Sequence, residues 1–203
     1  MLQRIYNNRY YKEIYNQLVY REKRYTPTIF EDPKRLLHQK TAWKGLETII
    51  RDIIEFSKIE TETCLEFGVE YGFSISAFSN YFDDVTGVDI FEGDIHTGKY
   101  ESIYEQVKQS LQPFENINLI NSDYRDFIKN PPRNFYNLIH VDIVHTYEAT
   151  FECGLWSAQH SNVTLFHDTE SFPEVKRAVA DIAKQTGKTF YNYKKCFGLG
   201  IIL

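Results

Sequence analysis

Short apolar segments alternate with amphipathic ones along most of the chain, and this alternation constrains the fold more than any other feature. The segments typical of strands are 63–67, 85–90, 116–121, 136–141, 163–166, 189–193 and 198–203. The first five are separated by helical patterns, which is typical of parallel β-α-β units. Only residues 194–197 separate the last two, and so short a connection requires an antiparallel hairpin. We therefore predict a three-layer α/β sandwich with a seven-stranded, mostly parallel sheet containing one antiparallel strand.

The N-terminal part of the chain differs in composition from the rest. Residues 1–25 are rich in tyrosine and basic residues, and their apolar positions follow helical spacing until Thr26-Pro27 breaks the pattern. We predict an N-terminal helical arm over residues 1–33 and a single domain over 34–203. The role of the arm stays open between a solvated helix, a lid over a substrate, a contact with a second copy of the chain and a nucleic-acid contact.

A long helix is predicted over residues 34–58, because apolar side chains recur there at helical spacing. These side chains are Leu36, Trp43, Leu46, Ile49, Ile50, Ile53 and Ile54. Further helices are predicted between the strands, at 74–82, 99–111, 148–159 and 172–186.

Composition excludes several classes of protein. The net charge is −5 at pH 7, which does not suit a dedicated nucleic-acid binder. The three cysteines include no C-x-x-C pair, so zinc knuckles and thioredoxin-type sites are excluded. The first residues lack the apolar core of a signal peptide, and no apolar stretch approaches the roughly 18 residues that span a bilayer. We expect a cytoplasmic protein without a membrane partner.

Five of the predicted strands carry an acidic residue at or just past their carboxyl ends. These residues are Glu66, Asp89, Asp123, Asp142 and Asp168. In open α/β sheets ligands bind at this edge, so we expect the five side chains to converge there. Asp89 could accept hydrogen bonds from ribose hydroxyls, and Asp123 could accept one from an adenine amino group. Helix capping by Asp89 and an Asx turn at Asp123 are the structural alternatives.

The loop after the first strand, Gly68-Val69-Glu70-Tyr71-Gly72, differs from the G-x-G-x-x-G turn of dinucleotide-binding folds. A carboxylate at Glu70 would repel a pyrophosphate, which argues against a nicotinamide-dependent oxidoreductase. The same carboxylate would tolerate or attract a ligand with an amino group, a sulfonium and no phosphate. Simple turn glycines at positions 68 and 72 are the alternative interpretation.

Three segments resemble the nucleoside-binding half of class I S-adenosylmethionine (SAM)-dependent methyltransferases: ETCLEFGVEYGFS, VTGVDIFEGD and NSDYRDF. A later segment, IHVDIVHTYEATFECGLW with the downstream VTLFHDT, resembles the macrocin and mycinamicin sugar O-methyltransferases and their cephalosporin-hydroxylase-like relatives. The resemblance covers about residues 60–203. It implies a Rossmann-like sheet and SAM as the cofactor. It also implies that Glu66, Gly68 and Gly72 line the methionine end of SAM, while Asp89 holds the ribose and Asp123 faces the adenine.

The same resemblance implies a catalytic cluster. Asp142 matches the first metal ligand of the family, and His145 matches its proposed general base. His167 and Asp168 fall where the family often has two acidic metal ligands. The histidine at 167 departs from that pattern, because oxygen ligands are the norm for Mg²⁺. A structural loop histidine at 145, and a histidine at 167 that supports a ligand without binding the metal, are the alternatives.

The expected activity is SAM-dependent transfer of a methyl group to a hydroxyl of a small acceptor, such as a sugar or another natural product. A divalent metal such as Mg²⁺ would bring two neighbouring hydroxyls of the acceptor together and lower the pKa of the one attacked. A SAM-binding module that has lost turnover, which His167 favours, and an NAD-dependent oxidoreductase are the alternative functions.

Overall fold

The structure is a computed structural model that describes residues 9–93 and 101–203. The helices are α1 (Arg9–Val19), α2 (Ile50–Ser57), α3 (Phe73–Phe78), α4 (Tyr104–Leu111), α5 (Tyr124–Lys129), α6 (Tyr147–Gln159) and α7 (Pro173–Thr186). The strands are β1 (Lys23–Arg24), β2 (Thr63–Phe67), β3 (Asp84–Asp89), β4 (Ile117–Asn121), β5 (Tyr136–Val141), β6 (Ser161–His167), β7 (Phe190–Tyr193) and β8 (Leu199–Ile202). A short 3₁₀ helix, Glu47–Ile49, directly precedes α2.

The described strands form one sheet in the order β1-β7-β8-β6-β5-β2-β3-β4. Of these strands, only β8 runs antiparallel to its neighbours, β6 and β7. The predicted α/β fold with a mostly parallel sheet and one antiparallel strand is therefore confirmed. The structure adds an eighth strand, because the two residues of β1 pair with β7. The strand order reverses between β2 and β5, and such a reversal creates a crevice at the carboxyl ends of the strands.

Side chains of the central strands alternate between two apolar cores, one on each face of the sheet. In β2, Cys64 contributes to the core that includes Trp43 and the isoleucines of α2. Leu65 and Phe67 contribute to the opposite core, with residues of α6 and α7. Helices therefore cover both faces, as the three-layer prediction requires.

The helix predicted over residues 34–58 is wrong over its first half. Residues 34–46 follow an irregular path, and helical structure begins only after them. The backbone of this segment is bonded to other elements: the N–H of Arg35 donates to Oδ1 of Asn80, just past α3. Gly45 has a φ of +103°, a value that a right-handed helix does not contain. The apolar side chains of this segment do pack against the core, but they are held there by tertiary contacts and do not share one face of a helix.

The remaining helix predictions differ from the structure mainly in their ends. The helix predicted over 74–82 is shorter, and the one predicted over 99–111 begins at Tyr104 within the described residues. Residues 1–8 of the predicted arm, and residues 99 and 100, lie outside the described residues. Among the helices that the structure describes, none is both long enough and apolar enough to cross a membrane.

Candidate active site

A cavity of about 460 Å³ opens at the carboxyl ends of the parallel strands. This volume is within the range of cofactor and small-molecule sites. The cavity is lined by Gly68 of the glycine loop and by the strand-end acids Asp89, Asp123, Asp142 and Asp168. The structure thus brings together residues that are far apart in the sequence.

The glycine loop after β2 forms one wall of the cavity, and Asp89 holds it in place. The N–H groups of Val69 and Glu70 donate to Oδ2 of Asp89 at 2.7 and 2.9 Å, and the N–H of Phe91 donates to Oδ1 at 2.7 Å. These charge-assisted hydrogen bonds fix the loop against the end of β3. The carboxylate is partly exposed at the cavity. Because a carboxylate offers about four lone-pair sites, Asp89 can also accept from a ligand hydroxyl.

Gly68 has a φ of +85° and lies directly against the neighbouring loop, where an added Cβ would be 1.8 Å from the carbonyl oxygen of Asp142. We expect Gly68→Ala to lower the free energy of unfolding by about 1–3 kcal/mol, because it adds both backbone strain and a clash. Gly187→Ala is the matched control: its φ is +69°, but an added Cβ meets nothing within 4 Å. Urea denaturation measures both variants, and equal destabilisation would contradict the clash.

Asp123 caps the start of α5 at the edge of the cavity. Its Oδ1 accepts a hydrogen bond from the N–H of Arg125 at 2.7 Å, and the guanidinium of Arg125 lies 3.6 Å from Oδ2. The local turn considered as a structural alternative is therefore present. The side chain also lines the cavity, and its contact with adenine stays a prediction.

Two aspartates and two histidines meet at the ends of β5 and β6. His145 Nε2 lies 3.0 Å from Asp168 Oδ2 and 3.5 Å from Asp142 Oδ1. His167 Nδ1 lies 3.2 Å from Asp142 Oδ2 and 3.4 Å from Asp168 Oδ2. The ring of His145 also stacks on Phe172, with 4.2 Å between the ring centroids. Each aspartate that the resemblance assigned to the catalytic cluster therefore lies within 3.5 Å of both histidines.

The aspartates and histidines of this cluster stabilise each other's charged forms. Burial alone would lower the pKa of His145, but its hydrogen bonds to Asp142 and Asp168 outweigh burial and raise the pKa to about 9. Burial would raise the pKa of Asp142, yet the charge of His167 and the hydrogen bonds from both histidines hold it well below its usual range. The two carboxylates therefore favour the protonated form of the imidazoles that face them.

His167 is bonded on both sides of its ring. Its Nε2 donates to the carbonyl oxygen of Cys196 at 3.3 Å, and its Nδ1 donates to the carboxylates described above. A ring that donates from both nitrogens has no lone pair for a metal ion. The described side chains that could hold a cation are instead Asp142, His145 and Asp168, whose ligand atoms lie within 4.8 Å of one another. The histidine of this possible metal site is therefore His145, whereas the resemblance implied His167 as the metal ligand.

No protein-family model matches the sequence, and no curated protein matches it. Solved structures do resemble it. The O-methyltransferase NovP has a TM-score of 0.64 at 12% identity, over 79% of this chain and 78% of that chain. SAM-bound CalS10, an amino pentose methyltransferase from Micromonospora echinaspora, has a TM-score of 0.59 at 10% identity, over 83% and 98%. An O-methyltransferase from Bacillus cereus in complex with SAH has a TM-score of 0.56 at 10% identity, over 82% and 83%. The chain has a Rossmann-like methyltransferase fold.

Two residues that the sequence assigned to the methionine end of SAM lie behind the cavity wall of this methyltransferase fold. Glu66 is fully buried, with Oε1 2.7 Å from Nδ1 of His140. Gly72 has a φ of +85°, and a Cβ there would meet the side chain of Leu111 at 3.0 Å. Neither residue is part of the cavity lining. Their contact with a ligand stays a prediction.

Sequence reasoning missed one wall of the cavity in this methyltransferase fold. The irregular segment 34–46 contributes lining residues that the helix prediction had placed on a core-facing element: Gln39, Thr41, Ala42 and Trp43. Trp43 was the one signal in the sequence for a special role of this segment, because the N–H of a buried indole normally requires a hydrogen-bond partner.

Proposed function

We propose that this protein transfers a methyl group from SAM to a hydroxyl of a small acceptor. The observation that carries the proposal is that one cavity is lined both by the strand-end acids that we assign to a nucleoside, Asp89 and Asp123, and by an Asp–His cluster. Asp89 and Asp123 lie at the ends of β3 and β4, whereas Asp142 and His145 follow β5. The fold shared with NovP and with the amino pentose methyltransferase CalS10 supports SAM as the methyl donor and a sugar-like acceptor.

The charge of the cavity supports SAM over a dinucleotide. Among the described lining residues, Arg125 is the one arginine or lysine, against a larger set of acids: Glu70, Asp89, Asp123, Asp142, Glu148 and Asp168. SAM carries a sulfonium and an ammonium group, whereas a nicotinamide dinucleotide carries a pyrophosphate. An acidic wall attracts the former and repels the latter.

Methyl transfer requires an acceptor oxygen that is aligned with the S–CH₃ bond and relieved of its proton. SAM supplies an electrophilic methyl group when it is bound. The protein aligns the acceptor, and alignment of this kind contributes several kcal/mol to lowering the barrier. Neutral His145 accepts the hydroxyl proton at Nδ1, because its Nε2 donates to the carboxylates of Asp142 and Asp168, and these carboxylates stabilise the imidazolium that forms.

A divalent cation is a second way to activate the acceptor at this cluster. Asp142, His145 and Asp168 fit such an ion, which would supply Lewis-acid activation of the hydroxyl. Two carboxylates and an imidazole suit Mn²⁺ or another transition metal better than Mg²⁺. Because a neutral imidazole has one lone pair and a bound metal ion would occupy it, the ligand and base roles of His145 exclude each other. We expect turnover to persist in EDTA; turnover that stops in EDTA and returns with Mn²⁺ would assign the ligand role.

Calorimetry with SAM, SAH and NAD tests the cofactor, and methyl transfer to a panel of sugars and catechols tests the reaction. Binding of SAM together with turnover of a hydroxylated acceptor supports the proposal. Binding of SAM without methylation of any acceptor in the panel would indicate a module that has lost turnover. Binding of NAD, but of neither SAM nor SAH, would indicate an oxidoreductase and remove the methyltransferase interpretation.

We expect kcat/KM in EDTA to rise with pH up to about 9. Only neutral His145 can accept a proton, and its pKa of about 9 keeps it protonated at neutral pH. Below that pKa the neutral fraction falls about tenfold per pH unit, so the rate falls with it. Asp168→Asn removes one carboxylate and should move the rise to lower pH; asparagine tolerates the φ of +64° at this position. A profile that is already flat at pH 7 would contradict His145 as the base.

A further inference from the structure

A buried row of polar side chains connects the sheet to the cavity wall. Glu66 of β2 and His140 of β5 are register partners on adjacent strands, and both are fully buried. Glu66 Oε1 lies 2.7 Å from His140 Nδ1. On the other side of the same imidazole, His140 Nε2 lies 3.3 Å from Nε1 of Trp43. The row therefore ends on the irregular segment 34–46.

The indole determines where the protons lie in this row. Nε1 of Trp43 is a donor only, so Nε2 of His140 must accept. Nδ1 of His140 then carries the proton and donates to Glu66. Removing one member leaves a buried polar group without its partner, which is destabilising. The hydrogen bonds of the row therefore fix the position of the indole at the cavity wall.

Trp43 stands at the cavity beside the catalytic cluster. It lines the cavity, although it is only 3% exposed, and its ring centroid lies 6.5 Å from that of His167. In the proposed function the nucleoside lies at the ends of β3 and β4. An acceptor that gives its proton to His145 then lies at the ends of β5 and β6, next to the part of the wall that Trp43 forms.

We propose that Trp43 contacts the acceptor, and that His140 and Glu66 are positioning residues that hold its indole at the cavity. An apolar indole next to carboxylate and imidazole groups suits a hydroxylated ring with an apolar C–H face, which is the chemistry of a sugar. This inference rests on the proposed function and deepens it, because it names the part of the chain that selects the acceptor.

Three variants test the row through steady-state kinetics. Trp43→Phe keeps an aromatic ring but loses the N–H, and we expect it to raise KM for the acceptor about 5- to 10-fold while Kd for SAH stays within about twofold of wild type. His140→Phe should raise KM similarly. His140→Gln should bring KM back toward the wild-type value, because its amide can accept from the indole and donate to Glu66.

Trp156→Phe is the matched control, because Trp156 is the other tryptophan of the chain and lies in the opposite core, stacked on His160. We expect it to leave KM and Kd unchanged. In this background Trp43 is the sole indole, so its fluorescence reports on the cavity wall without turnover. We expect its emission to change when an acceptor that the enzyme methylates, for example a methyl glucoside, is added to the SAH complex.

The outcomes separate this inference from the proposed function. The inference would be overturned, and the proposed function left intact, if KM is unchanged in Trp43→Phe. The same holds if no acceptor that the enzyme methylates changes the emission of Trp43. A KM that rises equally in His140→Gln and His140→Phe would overturn the positioning role of the row. A protein that binds neither SAM nor SAH would overturn the proposed function, and the inference with it.

Discussion

Asp142→Asn should nearly abolish methyl transfer, lowering kcat by about 10²- to 10⁴-fold, while Kd for SAM stays within about twofold of the wild-type value. Asp142 Oδ1 lies 3.5 Å from His145 Nε2, and Oδ2 lies 3.2 Å from His167 Nδ1. An amide keeps the shape of the carboxylate but accepts through only one of its two terminal atoms. Its NH₂ group would face one of these ring nitrogens, so the orientation and charge of the proposed base would both change.

Turnover of Asp142→Asn is measured as the release of SAH in the presence of an acceptor that the wild-type protein methylates, and the affinity for SAM is measured by calorimetry. Asp126→Asn is the control, because Asp126 is an exposed residue of α5 that pairs with Lys129 at 2.7 Å, away from the cavity. Unchanged turnover in Asp142→Asn would show that Asp142 takes no part in the reaction. A loss of SAM affinity as large as the loss of turnover would place Asp142 in cofactor binding instead.

Most of the sheet could be predicted from the sequence because its central strands are buried on both faces. Such strands are near-continuous apolar runs bounded by turns, as residues 63–67 and 136–141 show. The antiparallel strand followed from the length of one connection. The pairing of β1 could not be predicted, because Lys23 and Arg24 are both exposed and charged. They become a strand only because β7 lies beside them in the folded chain.

The helix prediction over residues 34–58 shows what apolar spacing leaves undetermined. It identified side chains that pack into the core, Trp43 among them, but it did not determine the backbone that carries them. Glu66 and His140 carried a further signal, because each is a polar residue within an apolar strand and buried polar groups require partners. Their pairing depends on the strand register, and their link to Trp43 depends on an irregular segment. Neither can be obtained from local patterns.

The location of the Asp–His cluster could be predicted from the sequence, but the protonation states of its members could not. Carboxyl ends of parallel strands meet at one edge of a sheet, so the convergence of Asp142 and Asp168 followed from chain order. Chain order does not predict which of the two histidines, His145 or His167, is able to bind a metal ion. This property depends on the carbonyl of Cys196, in the β7–β8 connection, which accepts from His167 and leaves His145 to complete the possible metal set.

Asp89→Ala should weaken SAM binding by about 1–3 kcal/mol, or about 5- to 150-fold in Kd. Two effects contribute to this loss. The variant removes the carboxylate that is placed to accept from the ribose hydroxyls, and it removes the acceptor that holds the N–H groups of Val69, Glu70 and Phe91 at 2.7–2.9 Å. The glycine loop would then have to be ordered by the ligand, and this ordering lowers the affinity further.

Calorimetric titration with SAM and SAH measures the loss in Asp89→Ala, and the chain offers a matched control on the same strand. Asp84 lies at the opposite end of β3, where its carboxylate pairs with Arg133 and with the side chain of Asn118. Asp84→Ala removes an acid from the same element without touching the cavity, so we expect no change in Kd. If Asp89→Ala also binds SAM with wild-type affinity, the ribose does not lie at the end of β3. The nucleoside would then occupy a part of the cavity away from Asp89 and from the glycine loop that Asp89 holds in place.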